Sequence, residues 1–319
     1  MKLLIIGIFD EEVIEHFQQQ HFLIDYQPRI LNEQEIIQRL DATDIIIINC
    51  ESKVTLKIVQ HLPAQFKAFI VLATQAETFF HPDAWQQIQE LKIPIYFTPY
   101  TNIRAVAEFT IALIFDIVKG ITYQNNEVED GVWNQFQSTQ LCGQTLGIIG
   151  LGEIGKIVAI LGKCIGFNVI YWSRLRNSDI ERTYNIEYKD WNELLKISDI
   201  ISIHLKLTDE TYHFINDNEL NSIVNGGKTK ILVNTARHNL VNVKALYPHL
   251  KHKRIKAAFD GWPSEEYAVQ IRKRISNEYL IVTPHQAFNS YESMKNASEM
   301  AKQCVAAIMD GNQWKHKIN

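Results

Sequence analysis

Short, isoleucine-rich apolar runs alternate along the chain with longer stretches that have a helical pattern. In the first third, helix-like stretches such as 32–40 and 83–92 separate four apolar runs, at residues 3–8, 44–49, 68–73 and 93–98. This alternation predicts βαβ units, and therefore a parallel sheet with helices on both faces. A longer stretch with apolar residues at helical spacing, 104–120, follows and ends at Gly120, a suitable helix stop.

A second alternating series fills most of the remaining chain. It contains six apolar runs, at residues 145–150, 168–172, 199–205, 230–234, 255–260 and 279–283. The polar segment 125–137 in front of it carries Trp133 and predicts an arm or loop, with ordinary packing of Trp133 as the alternative. The last segment, 291–311, has a helical pattern and ends at Gly311. We expect this final helix to fold back on the first series of strands.

Composition narrows the class of protein without naming a function. The 319 residues are 46% hydrophobic and 21% charged, with a net charge of −4, which suits a globular protein with a sizeable core. No basic excess indicates nucleic acid or an anionic membrane as a partner. The first apolar run is too short for a signal peptide, and no run approaches a membrane span. The four cysteines are widely spaced, so we expect a cytoplasmic protein.

The motif GLGEIG contributes Gly150, Gly152 and Gly155 between a predicted strand and a predicted helix. In a dinucleotide site the first glycine makes the tight turn, the second admits the pyrophosphate, and the third lets the helix pack on the strand. The start of the helix, with Glu153 and Ile154, would then bind the phosphates through free backbone N–H groups. A purely structural turn is the alternative, but the strand–turn–helix–strand context favours a cofactor. Six strands also match the number that such a sheet requires.

The end of the next strand indicates which dinucleotide binds. An acidic residue is expected there to hold the ribose 2′-hydroxyl of NAD, but the chain has Ser173 and Arg174, followed by Arg176. Serine does not repel a 2′-phosphate, and arginine can pair with it. We therefore predict NADP as the preferred cofactor and NAD as the other candidate. A solvated basic loop is the alternative explanation.

Three residues at later strand ends are candidates for hydride chemistry: Arg237, Glu265 and His285. Each follows a predicted parallel strand at its carboxyl end, where ligands bind in this type of fold. Taken singly, each could be a solvated charge or an ordinary polar residue, but the order and placement of the three favour a common site. No convincing cluster of metal ligands is present.

Several motifs in order resemble the D-isomer specific 2-hydroxyacid dehydrogenases. These are TLGIIGLGEIG, VNTAR, Asp260 with Glu265 five residues later, and TPH, and the resemblance covers roughly residues 44–311. It implies hydride transfer between a nicotinamide cofactor and C2 of a small 2-oxoacid or D-2-hydroxyacid. Arg237 would bind the substrate carboxylate, His285 would be the acid/base, and Glu265 would bond its imidazole, with Glu266 as a less well spaced substitute. Further cofactor contacts would be His204, Thr208, Thr211, Thr235 and Asp260.

The resemblance also implies the architecture. We expect an α/β fold in which a Rossmann domain, a doubly wound parallel sheet of residues 102–286, is inserted in a flavodoxin-like substrate-binding domain of residues 1–101 and 287–319. A homodimer is implied as well, with Trp133 in a segment like the family's dimer arm.

Some positions depart from the family pattern. Loop 72–78 has no glycine, and bulkier residues replace glycines at Tyr100, His238 and Phe288. Lys206 occupies the proline position of the usual His-x-Pro turn. These changes add bulk around the expected pocket. We predict a reductase of glyoxylate, hydroxypyruvate or a related 2-oxoacid; a cofactor-binding sensor or corepressor-like protein of the same fold is the alternative.

Overall fold

The structure is a computed structural model that describes residues 1–49, 52–225, 227–312 and 314–318. The chain divides into two compact units, one formed by Met1–Asn102 with Asn289–Asn319 and the other by Ile103–Phe288. The sequence analysis places its domain boundaries after residues 101 and 286. The roles assigned to the two domains remain predictions.

Twelve strands and thirteen α-helices are named among the described residues. The strands are β1 Lys2–Ile6, β2 Leu23–Gln27, β3 Thr43–Ile48, β4 Ala68–Val71, β5 Ile95–Phe97, β6 Thr145–Ile149, β7 Asn168–Trp172, β8 Glu187–Tyr188, β9 Ile200–Ile203, β10 Lys230–Asn234, β11 Ile255–Asp260 and β12 Leu280–Thr283. The helices are α1 Glu11–Gln19, α2 Glu33–Arg39, α3 Leu56–Gln60, α4 Pro82–Glu90, α5 Ile103–Lys119, α6 Ile121–Glu129, α7 Glu153–Ile165, α8 Ser178–Tyr184, α9 Trp191–Ile197, α10 Asp217–Val224, α11 Val243–Lys251, α12 Glu265–Arg272 and α13 Tyr291–Met309. Single 3₁₀ turns lie at Ala76–Phe79 and His238–Leu240.

The first unit contains a five-stranded parallel sheet in the order β2-β1-β3-β4-β5, the flavodoxin-like order. Strand β2 is missing from the sequence prediction because its residues, LIDYQ, form no continuous apolar run and lie at the sheet edge. Helix α13 belongs to this unit, since Ala301, Cys304 and Val305 share a buried cluster with Leu3 and Ile5 of β1. The final helix therefore folds back on the first series of strands, as predicted.

The second unit contains a seven-stranded parallel sheet in the order β12-β11-β10-β9-β6-β7-β8. All six predicted strands are present, and the two-residue strand β8 is added at one edge. The strand order reverses between β6 and β9, and a ligand in such a sheet binds at the carboxyl ends beside this reversal. The two-domain α/β fold with a Rossmann-type sheet is confirmed.

Segment 125–137 is only partly irregular. Helix α6 covers Ile121–Glu129, so the predicted loop is wrong for 125–129, while residues 132–140 have no regular structure. The helix buries none of its residues, and it therefore lacks the apolar stripe by which a sequence pattern is recognised. Among the helices of the described ranges, none combines the length and the apolar character needed to cross a bilayer.

Candidate active site

The glycine turn lies at the carboxyl end of β6, beside the reversal of strand order. Gly150 has φ +96°, and an added Cβ there would lie 2.7 Å from the carbonyl oxygen of His204. A Cβ on Gly155 would lie 2.1 Å from the carbonyl oxygen of Gly150. Gly152, the N-cap of α7, has nothing within 4 Å of such a Cβ. Two glycines are thus required by packing, and the third leaves open space at a helix N-terminus, which fits a pyrophosphate.

The first residues of α7 support this turn in different ways. Glu153 is exposed, and its carboxylate pairs with Lys156 at 2.8 Å, within one helical turn. Ile154 is half-buried and packs on the apolar cluster beneath the helix. A contact of either residue with the phosphates would therefore come from the backbone N–H groups rather than from the side chains.

Two arginines follow β7, and the structure gives them different surroundings. The Ser173 hydroxyl donates to the Leu175 carbonyl, and the exposed Arg174 guanidinium lies 3.7 Å from Glu210. Arg176 instead donates to both carboxylate oxygens of Glu181, at 2.8 and 2.6 Å. This pairing holds the planar donor group of Arg176 within its own loop, and its contact with the cofactor stays a prediction. Ser173 and Arg174 stay as candidates for the ribose.

His204 follows β9, on the other side of the reversal. Its Nε2 lies 2.8 Å from the hydroxyl of Ser202, and burial lowers the pKa of His204 to about 3, so the ring is neutral near pH 7. Its backbone N–H donates to the carbonyl of Ile149, the last residue of β6, at 2.8 Å. His204 therefore borders the glycine turn as a neutral hydrogen-bonding group.

Thr208 and Thr211 stabilise the loop that follows. The Thr211 hydroxyl accepts the backbone N–H of Thr208 at 2.7 Å and donates to the carbonyl of Lys206 at 2.7 Å. Thr208 is exposed and Thr211 is half-buried, and together they close a local turn. Their part in cofactor binding stays a prediction.

The turn after β10 carries Arg237. The buried Asn234 donates from Nδ2 to the Arg237 carbonyl at 2.9 Å and accepts the Ala236 N–H at Oδ1 at 3.0 Å. Thr235 is also buried, and its hydroxyl lies 2.7 Å from that of Thr110 in α5, which directs it into packing. Asn234 is a supporting residue of this turn that the sequence analysis missed, and the available signal was a buried amide at a strand end. It fixes the direction of the turn on which Arg237 stands.

Asp260 and His285 meet at the ends of the neighbouring strands β11 and β12. The Asp260 carboxylate is 2% exposed and accepts three hydrogen bonds from the turn around His285. The His285 Nδ1 lies 3.5 Å from the Asp260 carbonyl oxygen and 3.9 Å from its carboxylate Oδ2. Glu265 is exposed as the first residue of α12, and in the described part of the chain no hydrogen bond or ion pair joins it to His285. The expected Glu265–His285 pair is therefore not formed, since α12 begins at Glu265 and its side chain is left in solvent.

Two of the bulky residues that depart from the family pattern, His238 and Phe288, belong to the same unit as Arg237 and His285. His238 follows Arg237 directly in the chain and is half-buried, and its pKa is lowered first by burial and then by electrostatic interaction with His285 and Arg237. The ring of Phe288 lies 5.7 Å from that of His285, centroid to centroid. In the other unit, Tyr100 is exposed and has φ +69°. Across the described ranges, no three His, Cys, Asp or Glu side chains are grouped so that they could hold a metal ion.

Comparison with known proteins gives the same family as this geometry. Residues 111–287 match the model of the "D-isomer specific 2-hydroxyacid dehydrogenase, NAD binding domain". The glyoxylate reductase of Aeropyrum pernix is 35% identical over 231 residues, which cover 70% of this chain and 68% of that protein. The hydroxypyruvate reductase of Thermotoga maritima is 28% identical over 269 residues, covering 83% of this chain and 84% of that protein.

Solved structures agree with the fold. The apo D-lactate dehydrogenase of Escherichia coli matches with a TM-score of 0.87 at 21% identity, and each chain is fully covered. An acyclic imino acid reductase in complex with NADPH and D-Arg matches with a TM-score of 0.81 at 25% identity, again over the whole of both chains. The chain belongs to the D-isomer specific 2-hydroxyacid dehydrogenase family and is a nicotinamide-dependent oxidoreductase of 2-hydroxyacids.

Proposed function

We propose that this enzyme reduces a small 2-oxoacid to a D-2-hydroxyacid, with His285 as the acid/base and Arg237 as the group that binds the substrate carboxylate. The observation that carries the proposal is the placement of both residues at one edge of the sheet. Arg237 follows β10 and His285 follows β12, on either side of β11. Neighbouring strands lie about 5 Å apart, so the two backbones are separated by roughly 10 Å, a gap that two side chains and a small acid can fill.

The chemistry divides between the two side chains. The rigid donor fork of Arg237 suits a carboxylate and also polarises the adjacent C2 carbonyl. A bound reduced nicotinamide supplies the hydride to C2. His285 gives a proton to the carbonyl oxygen as the alcohol forms and takes it back in the oxidation direction. Because burial lowers the pKa of His238, its ring favours the neutral form and competes less for the carboxylate as a cation.

The substrate is proposed from the names of relatives and from the size of the neighbours. The relatives described above are reductases of glyoxylate and hydroxypyruvate, both small 2-oxoacids. The Phe288 ring against His285 supports a small substrate, since an aromatic wall takes up space beside the acid/base. These relatives are named as enzymes, so the sensor or corepressor alternative is not favoured.

A panel of 2-oxoacids assayed with NADPH and with NADH tests the activity. In His285→Gln, turnover should fall by about 10²- to 10⁴-fold, the range for loss of a general acid, while the Kd of the reduced cofactor is unchanged. His252→Gln, at an exposed histidine of the same unit, is the matched control. Near-normal turnover in His285→Gln would remove His285 from the mechanism. Tight cofactor binding by the unaltered protein without turnover of any oxoacid would instead support a sensor.

We also propose that NADPH is preferred over NADH. No acidic residue follows β7, and Ser173 and the exposed Arg174 can accept a 2′-phosphate. The imino acid reductase that matches the fold at 25% identity was solved with NADPH, which supports the same preference. Arg176 is left out of this proposal because Glu181 holds its guanidinium.

Replacement of Arg174 tests the cofactor preference. One charge-assisted hydrogen bond contributes about 1.5 kcal/mol or more, so Arg174→Gln should lower kcat/KM for NADPH about tenfold and leave that for NADH unchanged. Arg182→Gln is the control, since Arg182 is equally exposed and pairs with an exposed acid, Asp179, at 2.6 Å. Equal losses with both cofactors, or an initial preference for NADH, would contradict the proposal.

The homodimer and the cytoplasmic location remain predictions. The dimer is supported by apolar groups exposed in one segment, with Trp133 88% exposed and Ile121 and Val128 about half exposed on α6. Trp133→Arg should therefore shift the mass measured by light scattering from dimer towards monomer. An unchanged dimer would show that Trp133 lies outside the contact.

A further inference from the structure

The Glu181 carboxylate, in α8, is bonded to side chains on both sides of the loop that follows β7. Its Oε1 accepts the Tyr171 hydroxyl at 2.7 Å, and its Oε2 accepts an Nη2–H of Arg176 at 2.6 Å. The Arg176 Nε also donates to Oε1 at 2.8 Å. Tyr171 lies within β7, ahead of Ser173 and Arg174, and Arg176 lies after them. One carboxylate therefore links the two sides of the loop that carries the predicted contacts with the ribose.

The Tyr171 hydroxyl extends this network to the start of α8. It accepts the backbone N–H of Asn177 at 2.8 Å, and the side chain of Asn177 in turn caps α8 by accepting the Ile180 N–H at 3.1 Å. Burial raises the pKa of Tyr171 to about 12, so its hydroxyl keeps the proton that it donates to Glu181. The backbone is thus held from β7 to the first turn of α8.

The bonds to Glu181 are better protected than an ordinary surface ion pair. The Glu181 side chain is 13% exposed, and the Arg176 guanidinium lies 5.6 Å from the centre of the Tyr188 ring. Hydrogen bonds, first of all from Arg176, lower the pKa of Glu181, so its carboxylate stays charged at neutral pH. Arg174, by contrast, lies 3.7 Å from Glu210, and both of these side chains are 83% exposed. Because solvent screens an exposed pair strongly, the Glu181 network is better able than Glu210 to fix the loop.

The residues between these anchors are the ones proposed to select the cofactor. The Ser173 hydroxyl donates to the Leu175 carbonyl, which closes a short turn, and the Leu175 side chain is 84% exposed. Ordering such an exposed turn at the moment of binding would cost conformational entropy, and a loop that is already ordered avoids that cost. A 2′-phosphate needs Ser173 and Arg174 in place for its charge-assisted hydrogen bonds, whereas NADH has no such group to bond. Order in this loop therefore favours NADPH over NADH.

We propose that Glu181 is a positioning residue for cofactor selection, holding the 173–177 loop through Tyr171 and Arg176 so that Ser173 and Arg174 are ready to bind a 2′-phosphate. This inference rests on the proposed preference for NADPH. It gives a part in the choice of cofactor to a side chain of α8 that acts through the loop.

Fluorescence titration of the full chain with NADPH and with NADH tests this role. Glu181→Gln keeps the length of the side chain and an acceptor for Tyr171, but it loses the charge that holds Arg176. We expect its Kd for NADPH to rise about tenfold and its Kd for NADH to stay within about twofold of that of the unaltered protein. Tyr171→Phe, which removes only the bridging hydroxyl, should weaken NADPH binding about threefold with the same selectivity. Glu210→Gln is the matched control, since Glu210 is an acid beside Arg174 but outside the network, and its Kd for NADPH should not rise.

Hydrogen–deuterium exchange measures the loop without any cofactor, and it therefore separates this inference from the proposed preference. The backbone amides of 173–177 should exchange faster in Glu181→Gln and Tyr171→Phe than in the unaltered protein, and at the unaltered rate in Glu210→Gln. Unchanged exchange in Glu181→Gln would overturn the proposal. So would equal rises in Kd for both cofactors, or tighter binding of NADPH, which would mean that Glu181 competes with the phosphate for Arg176. If the unaltered protein binds NADH more tightly than NADPH, the proposed preference fails even where the exchange shows that Glu181 orders the loop.

Discussion

Gly152 and Gly155 should respond in opposite ways to the same substitution, serine. A Cβ on Gly155 would lie 2.1 Å from the Gly150 carbonyl oxygen, and ordinary contact begins at 3.4 Å, so this backbone atom must move by at least 1.3 Å, the difference between the two. Overpacking of this kind costs about 1–3 kcal/mol, which lowers the Tm of a domain of this size by about 2 to 12 °C. Gly152→Ser adds atoms to open space at an N-cap, where serine is preferred to glycine, so its Tm should not fall.

Cofactor affinity should separate the two variants in a different way. The open space at Gly152 is where the pyrophosphate is expected, so Gly152→Ser should raise the Kd of NADPH at least tenfold in a protein of normal Tm. Thermal unfolding followed by circular dichroism, with fluorescence titration of NADPH, measures both quantities. Gly227→Ser in the same unit is a surface control, since nothing lies within 4 Å of its added Cβ. Because Gly227 has φ +74°, we expect this variant to lose a little Tm and to keep its affinity for NADPH. An unchanged Kd in Gly152→Ser would refute the placement of the pyrophosphate.

Three further outcomes follow from buried groups. Burial lowers the pKa of His204 from 6.5 to about 3, so below pH 6.5 the unfolded chain binds a proton that the folded protein does not. From pH 6.5 down to pH 5, the free energy of unfolding should therefore fall by about 2 kcal/mol. Urea unfolding should show this loss in the unaltered protein and not in His204→Asn. Asn234→Ala removes both hydrogen bonds that fix the Arg237 turn. It should raise the KM of the 2-oxoacid about tenfold with little change in the Kd of NADPH. An unchanged KM would show that this turn has no part in substrate binding. Burial raises the pKa of Cys304 to about 12. At pH 8 a thiol reagent should therefore label the exposed Cys142 and leave Cys304 unlabelled until urea unfolds the protein. Mass spectrometry of the peptides measures both.

The strands that were predicted and the strands that were missed differ in how they are buried. Central parallel strands such as β3 are covered on both faces and carry unbroken apolar runs, which a pattern detects. Strands β2 and β8 lie at sheet edges and carry polar residues, so nothing local distinguishes them from loops. Helix α6 was missed for a related reason, since a helix with no buried residue has no apolar stripe.

The candidate site divides along similar lines. The glycine turn, Arg237 and His285 were found from the order and spacing of motifs, because a parallel sheet brings the carboxyl ends of its strands to one edge. The side-chain partners were not found in this way. Glu265 lies five residues after Asp260 in the expected spacing, yet the start of α12 leaves it in solvent, and Arg176 is taken by Glu181.

The sequence by itself determined the two sheets, the glycine turn and the strand ends that carry Arg237 and His285. These features depend on local periodicity and on chain order, which are properties of a linear sequence. Only the tertiary structure decided that Asp260 holds the His285 turn and that, after β7, Arg176 is bonded to Glu181 while Arg174 lies 3.7 Å from Glu210. The physical reason is that a hydrogen bond extends over about 3 Å, so its partners are chosen by how turns from separate strands approach one another, and spacing along the chain does not specify that approach.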